Sequence, residues 1–415
     1  MTIFSSLQTF LPLLFSFIVL MIFLRTKWSS FYSKTKKNFP PSPRKLPIIG
    51  NFHQLGLSPN QSLRALSQKH GPIMLLHFGS VPTLVASSAE VAREIMKTHD
   101  LSFCSRPNLR IPNILLYGSK DIAFAPYGEY WRQLKSIVVV HLLNNTQVKS
   151  FRQVREKEIG MMMGTLVESS GSVVNMGSFL TSLSNNIICR VALGRTYDGK
   201  LTDLVTRFVN MFTLLSVGSY IPWLSWIDRL SGLEGRAKKV AKDIDTFLES
   251  VIEENVNKKS QMGADDRNHE GRHKRIFAIA SFIPTSSTSR INKDVKVMGY
   301  DISSGTQVII NAWAMGRDPA EWEDPEEYRP ERFLNKFNDY KAHTFEWIPF
   351  GAGRRGCPGI QFSAVVMELA LANIVYKFDL ALPNGVNCED LDMTEKFGIT
   401  LHKNSSLMVI ATPKF

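Results

Sequence analysis

One cysteine in a glycine-rich loop constrains this chain more than any other feature. Residues 350–359 contain four glycines, two adjacent arginines and Cys357, which is followed by a Pro-Gly step. Residues 360–377 are almost wholly apolar and predict a helix that begins at this step, because proline in a first turn loses no hydrogen bond. The positive end of a helix dipole favours a thiolate over a thiol. The loop therefore indicates a metal-ligating thiolate or, as the simpler alternative, a buried cysteine in a glycine-rich turn.

The spacing of five residues in this loop resembles the haem-binding signature of the cytochrome P450 monooxygenases. The five residues are Phe350, Gly353, Arg355, Cys357 and Gly359. The resemblance implies that Cys357 is the proximal ligand of a haem iron, that Arg355 meets a haem propionate and that Phe350 packs near the sulfur. It also implies the cofactor, haem b (iron protoporphyrin IX), whose thiolate ligand promotes dioxygen activation.

A second pair of cofactor-binding candidates lies on a helix predicted over residues 128–143. Trp131 and Lys135 are four residues apart, so both side chains project from one face of that helix. The family has Trp-x-x-x-Arg at this place, with both side chains reaching a haem propionate. Lysine keeps the charge of arginine but not its planar fork. Without the cysteine loop, the pair would indicate only a surface helix with a half-buried tryptophan.

The resemblance implies a mainly α fold with a small β domain, in which residues 51–415 form a single haem-thiolate domain. Residues 73–78 and 83–86 predict a β-hairpin. Ser87 and Glu90 have the spacing of a capping box and predict a helix that ends at about residue 98.

Further along the chain, longer elements and loops can be predicted in the same way. Amphipathic helices are predicted over residues 151–167 and 174–193, and a long charged helix over residues 233–259. Residues 103–121 are loop-like, and in the family this region covers the substrate pocket. Residues 220–226 form an apolar, aromatic loop with three open interpretations: a membrane contact, the roof of the pocket, or ordinary core.

Residues 328–333 resemble the second signature of the family. There, Arg332 closes a Glu-Arg-Arg cluster that braces the cysteine loop. Its two partners would come from a Glu-x-x-Arg helix upstream, which this sequence lacks. A buried guanidinium without those partners costs several kcal/mol unless it repacks towards water. Residues 397–400 and 407–411 resemble the terminal hairpin, whose turn touches substrate.

The amino terminus predicts a membrane anchor followed by a stiff linker. Residues 1–24 carry no charged side chain, and about 20 apolar residues span a bilayer. Residues 25–50 are first basic and then proline-rich, which predicts an extended spacer and, by the positive-inside rule, a domain in the cytosol. The resemblance implies a single-pass protein of the endoplasmic reticulum membrane. Glycosylation at the sequons of Asn60, Asn144 or Asn404 would contradict this topology.

Charge and cysteine usage narrow the choice of partners. The formal charge of +12 does not indicate nucleic acid, because no stretch interleaves basic with aromatic residues and no zinc-ligand spacing occurs. A membrane surface or an acidic protein partner explains the charge better. Cys104, Cys189 and Cys388 are scattered and form no CxxC, so they are interpreted as small core or surface residues in a reducing compartment.

The resemblance fails over residues 258–293. In the family, a domain-crossing helix over the distal haem face carries an acid–threonine pair, and the Glu-x-x-Arg helix follows it. A helix of roughly 30 residues would use nearly all of this interval, which is polar at first and later contains helix breakers. The sequence therefore predicts an incomplete fold with an aberrant junction, no assignable catalytic residue, an unreadable run over residues 272–290 and a resemblance that resumes at Asp294.

Two functions from different classes follow. The first is a haem-dependent monooxygenase that inserts one oxygen atom from O₂ into a small apolar metabolite, with electrons from NADPH supplied through an NADPH–cytochrome reductase. The amino-acid sequence most resembles those of plant microsomal enzymes of specialised metabolism, which suggests a coumarin or furanocoumarin precursor as substrate. The second is a catalytically inactive, truncated and membrane-anchored remnant that either binds haem or lacks it.

Overall fold

The computed structural model describes Ser16 and residues 37–197, 199–262, 288–334, 344–396, 398 and 402–415. Apart from Ser16, the membrane anchor predicted over residues 1–24 lies outside these residues, as do the basic start of the linker and most of the predicted junction. The same is true of Phe397, Ile399 and Thr400 in the predicted terminal turn.

Helices carry most of the described chain. In chain order they are α1 Pro59–His70, α2 Ala89–Arg93, α3 Asp100–Phe103, α4 Arg110–Leu115, α5 Glu129–Val138, α6 Asn145–Ser150, α7 Arg152–Glu168, α8 Met176–Leu193, α9 Lys200–Thr213, α10 Val217–Tyr220, α11 Trp226–Leu230, α12 Leu233–Met262, α13 Ala312–Met315 and α14 Ile360–Lys377. Glu94–Thr98 and Val139–Leu143 are π-helical turns that extend α2 and α5.

The strands form small sheets. They are β1 Ile73–Phe78, β2 Val81–Ala86, β3 Val173–Asn175, β4 Thr288–Arg290, β5 Val295–Val297, β6 Tyr300–Ile302, β7 Gln307–Ile310, β8 Phe378–Ala381, β9 Glu395–Lys396, β10 His402–Lys403 and β11 Met408–Pro413. One sheet has the order β1-β2-β7-β4, in which only β2 and β7 are parallel. A second has the order β3-β11-β8, and β5–β6 and β9–β10 form two-stranded ribbons.

Apolar side chains on the larger sheet pack against α2 and place the region before the cysteine loop. Leu84 and Val308 are fully buried in this cluster, together with Val91 of α2. Ile348 and Ala352 belong to the same cluster, so the start of the cysteine loop is attached to the sheet core. Burial of such side chains contributes about 1.5–3 kcal/mol each.

A second core joins three helices to the β3-β11-β8 sheet. Leu166 of α7, Ile187 of α8 and Ile374 of α14 are buried in it, next to Val409 of β11. In the described part of the chain, α14 is also the helix that is long and apolar enough to cross a bilayer. Because α14 follows the cysteine loop directly, this three-helix layer positions the loop from its carboxyl side.

Residues 37–50 lie along the domain surface. The Lys37 ammonium contacts the Asp294 carboxylate at 3.0 Å, and the main-chain N–H of Asn38 donates to Asp301 at 2.9 Å. The N–H of Leu75 donates to the carbonyl of Pro41 at 2.9 Å. The described half of the predicted linker is therefore held by the domain.

Several local predictions agree with the structure and three are wrong. The hairpin, the helices predicted over residues 128–143 and 233–259 and the helix after the cysteine loop all form. The α2 cap is Ser88, which accepts from the N–H of Val91, rather than Ser87. Residues 110–115 of the predicted loop form α4, because Ile111 and Leu115 pack against α9 and α12.

The predicted terminal hairpin is the third error. Residues 408–413 form β11, which pairs with β3 and β8 on its two sides. The ribbon near the predicted turn is β9–β10 instead. Strand partners far apart in sequence decide this arrangement, and a local pattern does not reveal them.

Candidate haem site

The loop before α14 holds Cys357 in a tight turn. The main-chain N–H of Cys357 donates to the carbonyl of Phe350 at 2.9 Å. Gly353 has φ 66°, and a Cβ atom on it would lie 2.4 Å from the carbonyl oxygen of Met96. Both the left-handed conformation and the close approach require glycine at this position. Gly359 is the N-cap residue of α14, so the helix begins directly after the Pro-Gly step, and Pro358 lies before the N-cap rather than in the first turn as predicted.

The thiol of Cys357 is only partly exposed, and its surroundings act on its pKa in opposite directions. Burial raises the pKa of Cys357, whereas the N–H of Gly359 and the charge of Lys135 oppose the rise. The expectation that the helix start alone favours a thiolate is therefore wrong, because desolvation has the larger effect. A metal ion at the sulfur reverses this balance, since a coordinating thiol is deprotonated.

Arg355 points back from the loop into the segment that precedes α5. Its Nε donates to the carbonyl of Cys104 at 2.5 Å, and its two Nη atoms donate to the carbonyls of Ala125 at 2.6 Å and Ile122 at 3.4 Å. The guanidinium carbon lies 4.1 Å from the ring centre of Trp131. Arg355 thus links the cysteine loop to the element that carries the second predicted pair.

Trp131 and Lys135 project from one face of α5 towards the cysteine loop. Trp131 is 4% exposed, and its Nε1 donates to the carbonyl of Ile122 at 2.8 Å. Lys135 Nζ donates to the carbonyl of Arg354 at 2.6 Å and lies 5.2 Å from the Trp131 ring centre. Burial, and then the charge of Arg355, lower the pKa of Lys135. The helical spacing therefore brings both side chains to the same place, as predicted.

These residues share one cavity of about 270 Å³. All six predicted cofactor-binding residues line it: Trp131, Lys135, Phe350, Arg355, Cys357 and Gly359. Apolar side chains of Val138, Leu143, Ile188 and Phe362 complete the wall. The cavity therefore combines a thiol, three cations and an apolar lining, although its members come from sequence positions more than 200 residues apart.

Sequence reasoning missed two buried charged residues, one that lines this cavity and one that interacts with its arginines. Arg106 lines it and is 8% exposed, and its Nε donates to the carbonyl of Ala123 at 2.9 Å. Asp121 is 3% exposed and accepts from the N–H groups of Ala123 at 2.7 Å and Phe124 at 3.0 Å. Both lie at the ends of the segment that was predicted as a loop, where no periodicity marks a buried side chain.

Burial and mutual repulsion perturb the arginines of this site. Burial lowers the pKa of Arg106 to about 10, and the charge of Asp121 opposes the change. Burial, followed by repulsion from Arg106, lowers the pKa of Arg355 to about 9. Both guanidinium groups remain charged at neutral pH. Two like charges held in a desolvated site are typical of a place built for anions.

The residues present fit haem b. A thiol at one wall matches the axial ligand that haem iron takes from cysteine. Arg106, Arg355 and Lys135 line the cavity with three positive charges, and Asp121, which interacts with both arginines from outside the lining, offsets one of them. The net charge of two would balance the two propionates. Charge-assisted hydrogen bonds to carboxylates are about twice as strong as neutral ones. Arg355 and Lys135 donate to main-chain carbonyl oxygens, and propionate oxygens would replace these carbonyls as acceptors.

Arg332 lies in a different environment. Its Nε donates to the carbonyl of Arg329, and one Nη donates to the carbonyls of Asp324 and Glu327, each at 3.0 Å. Its guanidinium carbon lies 5.9 Å from the Trp322 ring centre. Arg332 is half-buried and is satisfied by the main chain of its own segment, as expected for a guanidinium that repacks towards water. Its bracing of the cysteine loop stays a prediction.

Comparison with known proteins identifies the family. The model of the cytochrome P450 family matches residues 40–276 and 278–409. Cytochrome P450 Tp4149 of Tanacetum parthenium is 52% identical over 491 positions, which cover 99% of both chains. A 3-beta-hydroxylase of the same plant is 43% identical, with 99% of this chain and 100% of that protein covered. Psoralen synthase of Ammi majus is 40% identical, with 96% and 97% covered.

The family match corrects one prediction about the interval before Asp294. The match resumes at residue 278, and residues 288–290 form β4, which pairs with β7. The expectation that the run over residues 272–290 is unreadable is therefore wrong for this part of it. The strand at residues 288–290 depends on pairing with distant residues, which a local pattern does not reveal.

The same alignment shows that the fold is incomplete. At least 76 of the 491 positions aligned with cytochrome P450 Tp4149 have no residue in this 415-residue chain. Since almost all of both chains is covered, the shortfall lies inside the aligned range. The thiol and the buried cations lie at one cavity, and the family model matches two ranges that together cover most of the chain. This chain therefore belongs to the cytochrome P450 family, as an oxidoreductase relative of plant specialised metabolism that lacks part of the domain.

Proposed function

We propose that this chain is a membrane-anchored haem-thiolate monooxygenase that acts on a small apolar plant metabolite. Electrons would come from NADPH through a membrane-bound NADPH–cytochrome reductase. The observation that carries the proposal is the meeting of Cys357, Trp131, Lys135 and Arg355 at one cavity. Family membership supplies the reaction class, in which one oxygen atom of O₂ enters the substrate.

Each cavity residue has a definite task in this proposal. Cys357 would ligate the iron, and Arg355 and Lys135 would hold the propionates. Trp131 would fix the position of both cations, because they lie against its ring at 4.1 and 5.2 Å. Haem with a thiolate ligand supplies the activation of dioxygen. Phe350 and the apolar wall would keep water from the sulfur and its ligand bond.

The names of two relatives bear on the substrate class. The name of one relative, psoralen synthase, supports a coumarin or furanocoumarin precursor, whereas a relative of higher identity is a 3-beta-hydroxylase. One name describes formation of psoralen and the other a hydroxylation. A panel for turnover should therefore contain coumarin precursors and other apolar plant metabolites that carry an oxidisable ring carbon.

Membrane attachment is proposed from the amino-terminal sequence and from one apolar surface. Trp223 is 63% exposed and Trp226 is 53% exposed, while neighbouring Tyr220 packs against Phe52 and Phe78. Tryptophans exposed next to a packed aromatic suit the interface of a bilayer. This favours the membrane contact among the three interpretations of residues 220–226.

Topology can be tested at a single sequon. Asn60 is 9% exposed, and the Asn144 side chain accepts from the N–H of Gln147, so neither amide is free for modification in the folded domain. Asn404 is exposed. We expect Asn404 to stay unmodified in microsomes that glycosylate a control protein. Glycan at Asn404 would place the domain in the lumen and contradict the proposed cytosolic orientation.

One observation favours the second candidate, a catalytically inactive remnant that binds haem. The alignment leaves at least 76 family positions without a residue, and the sequence contains no acid–threonine pair in the interval where the family carries it. The cavity residues lie outside that interval. Haem binding and turnover are thus separable properties of this chain.

Spectra and turnover of the expressed full chain distinguish the candidates. A reduced carbon monoxide difference spectrum should show a thiolate-type Soret band, and Cys357→Ser should abolish it. Cys189→Ser is the matched control, because Cys189 is a buried cysteine on α8 that does not line the cavity. NADPH consumption coupled to product in the presence of reductase supports the monooxygenase. A Soret band without product supports the remnant, and a spectrum unchanged by Cys357→Ser contradicts both.

A further inference from the structure

The outer side of α7 carries two glycines and two exposed apolar side chains. Gly160 and Gly164 lie about one turn apart on the helix, and both are exposed. Apart from the backbone of α7 itself, no described atom lies within 4 Å of the place where a Cβ atom on either glycine would be. Met161 is 54% exposed and Val167 is 50% exposed. We define the outer face of α7 as Lys157, Gly160, Met161, Gly164, Val167 and Glu168.

The packing of α7 within the described chain does not explain the two glycines. Both lie in the interior of the helix, where glycine destabilises it relative to alanine because its backbone loses more conformational freedom on folding. Ile159, Met162 and Leu166, which are buried in the core shared with α8, α14 and the β3-β11-β8 sheet, lie on the opposite side of the helix. Small residues on an open helix face allow the backbone of another helix to approach closely.

The two ends of the outer face carry opposite charges. Lys157 and Glu168 are exposed and lie about 16 Å apart along the helix axis. Among the described residues, the ion pair on the exposed side of α7 joins Arg152 to Glu156 and includes neither of them. Two copies of α7 that pack antiparallel bring Lys157 of each copy to Glu168 of the other. A parallel pair would instead place like charges together, which opposes association.

We infer that the outer face of α7 is the contact surface of a weak two-fold dimer of this chain, in which two copies of α7 pack antiparallel. With the two-fold axis between residues 162 and 163, Met161 of each copy lies opposite Gly164 of the other. The exposed side chain then fills the open space beside the glycine. A two-fold contact is self-complementary, so this packing and the Lys157–Glu168 pair each occur twice. The inference does not depend on haem or on turnover.

Two other occupants fit the outer face less well. A membrane surface prefers a basic rim around an apolar face, whereas Glu156 and Glu168 bring negative charge to this rim. An unrelated protein would need the reverse pattern of charges and open spaces, which a second copy of the outer face already supplies. One helix pair is a small contact, so we expect the dimer to form where chains are concentrated on one membrane.

Energy transfer between two fluorescently labelled populations of the full chain tests the inference in phosphatidylcholine vesicles. The signal should rise with the number of chains per vesicle, saturate, and fall when unlabelled native chain competes. Gly164→Leu should weaken association roughly tenfold or more, because the added side chain holds the two helix backbones apart. Gly235→Leu is the matched control, since Gly235 is an exposed glycine with equally open space on α12, and it should leave association unchanged.

Exchange of the two charges tests the antiparallel arrangement independently of the glycines. Lys157→Glu alone and Glu168→Lys alone should each weaken association severalfold, because each brings like charges together twice across the contact. The double variant restores opposite charges and should restore association. Urea unfolding checks the fold of each variant. Gly164→Leu should keep or raise the free energy of unfolding, because leucine favours a helix more than glycine does.

Four outcomes would overturn the inference. The first is energy transfer that does not saturate or that unlabelled chain does not reduce. The second is association unaltered by Gly164→Leu, which would assign the contact to another surface of the chain. The third is an equal loss with Gly164→Leu and Gly235→Leu. In the fourth, the double charge variant associates no better than the single ones, which would contradict the antiparallel pairing.

Discussion

Replacing Arg355 by methionine tests whether the cysteine loop is tied to the helix that carries Trp131. The change removes the guanidinium and keeps an unbranched apolar side chain. Two short hydrogen bonds are lost, to the carbonyls of Cys104 at 2.5 Å and Ala125 at 2.6 Å, together with a longer one to Ile122 at 3.4 Å. The contact of the cation with the Trp131 ring, at 4.1 Å, is also lost.

The expected magnitude follows from these contacts. A hydrogen bond to a charged group contributes about 1.5–3 kcal/mol, so the two short bonds contribute about 3–6 kcal/mol. Burial of the cation offsets part of this gain, as the lowering of the Arg355 pKa to about 9 indicates. We expect Arg355→Met to reduce the free energy of unfolding of the haem-free protein by about 2–3 kcal/mol.

Urea unfolding followed by tryptophan fluorescence measures this change, and a haem titration is run on the same samples. Arg132→Met is the control, because Arg132 lies on the same helix but is exposed, and surface changes usually stay within about 0.5 kcal/mol. Haem affinity should fall with Arg355→Met and stay unchanged with Arg132→Met. Unaltered stability of the haem-free variant would refute the link between loop and helix. Lower stability with unaltered haem affinity would show that Arg355 holds the loop but not the cofactor.

Three further predictions concern charge. Asp121→Asn keeps an acceptor for the N–H groups of Ala123 and Phe124, but it removes a carboxyl whose pKa is raised by burial. A carboxyl whose pKa is raised in the folded state stabilises the fold fully below pH 3.8, and this contribution is lost as the pH rises through the folded-state pKa. In urea unfolding, the free energy of unfolding of Asp121→Asn relative to that of the native chain should therefore increase with pH. Lys135→Arg should slow haem transfer to apomyoglobin roughly 3- to 10-fold, because the planar fork binds a carboxylate through two bonds; faster transfer would contradict the propionate role. Glu158→Gln should lower stability by about 3 kcal/mol, because Glu158 is 2% exposed and pairs with Arg190 of the next helix; a change below 1 kcal/mol would contradict this.

The fold class and the positions of two short motifs could be predicted from the sequence, and the roles of the site residues stay a prediction. The spacing within the cysteine loop and the four-residue interval between Trp131 and Lys135 are local patterns, and local geometry decides where those side chains point. The loop and α5 then meet in one cavity, as the resemblance implied. These are the parts in which a short motif specifies a conformation without help from distant residues.

What could not be predicted depends on distant contacts. Arg106 and Asp121 have no periodic pattern around them, and they become site residues only because Arg355 reaches their segment from the other end of the chain. The pKa of Cys357 depends on how much of the thiol the fold buries, which a helix-dipole argument does not include. The partners of β11 come from two distant strands, so its pattern alone suggested the wrong hairpin.

The position of the missing residues decides which part of the chemistry this chain retains. The described cavity is made by residues 106–188 and 350–363, and its hydrogen bonds join the loop around Cys104 to the turn before Cys357. The interruption of the family match at residues 276–278 lies between these two groups and contributes no residue to the described cavity wall. Loss of family positions there leaves Cys357, the cations and the packing of α14 against α7 and α8 in place. We therefore expect cofactor affinity and proton delivery to be separable in this chain, because the residues proposed to hold the cofactor line the described cavity and lie outside the interruption.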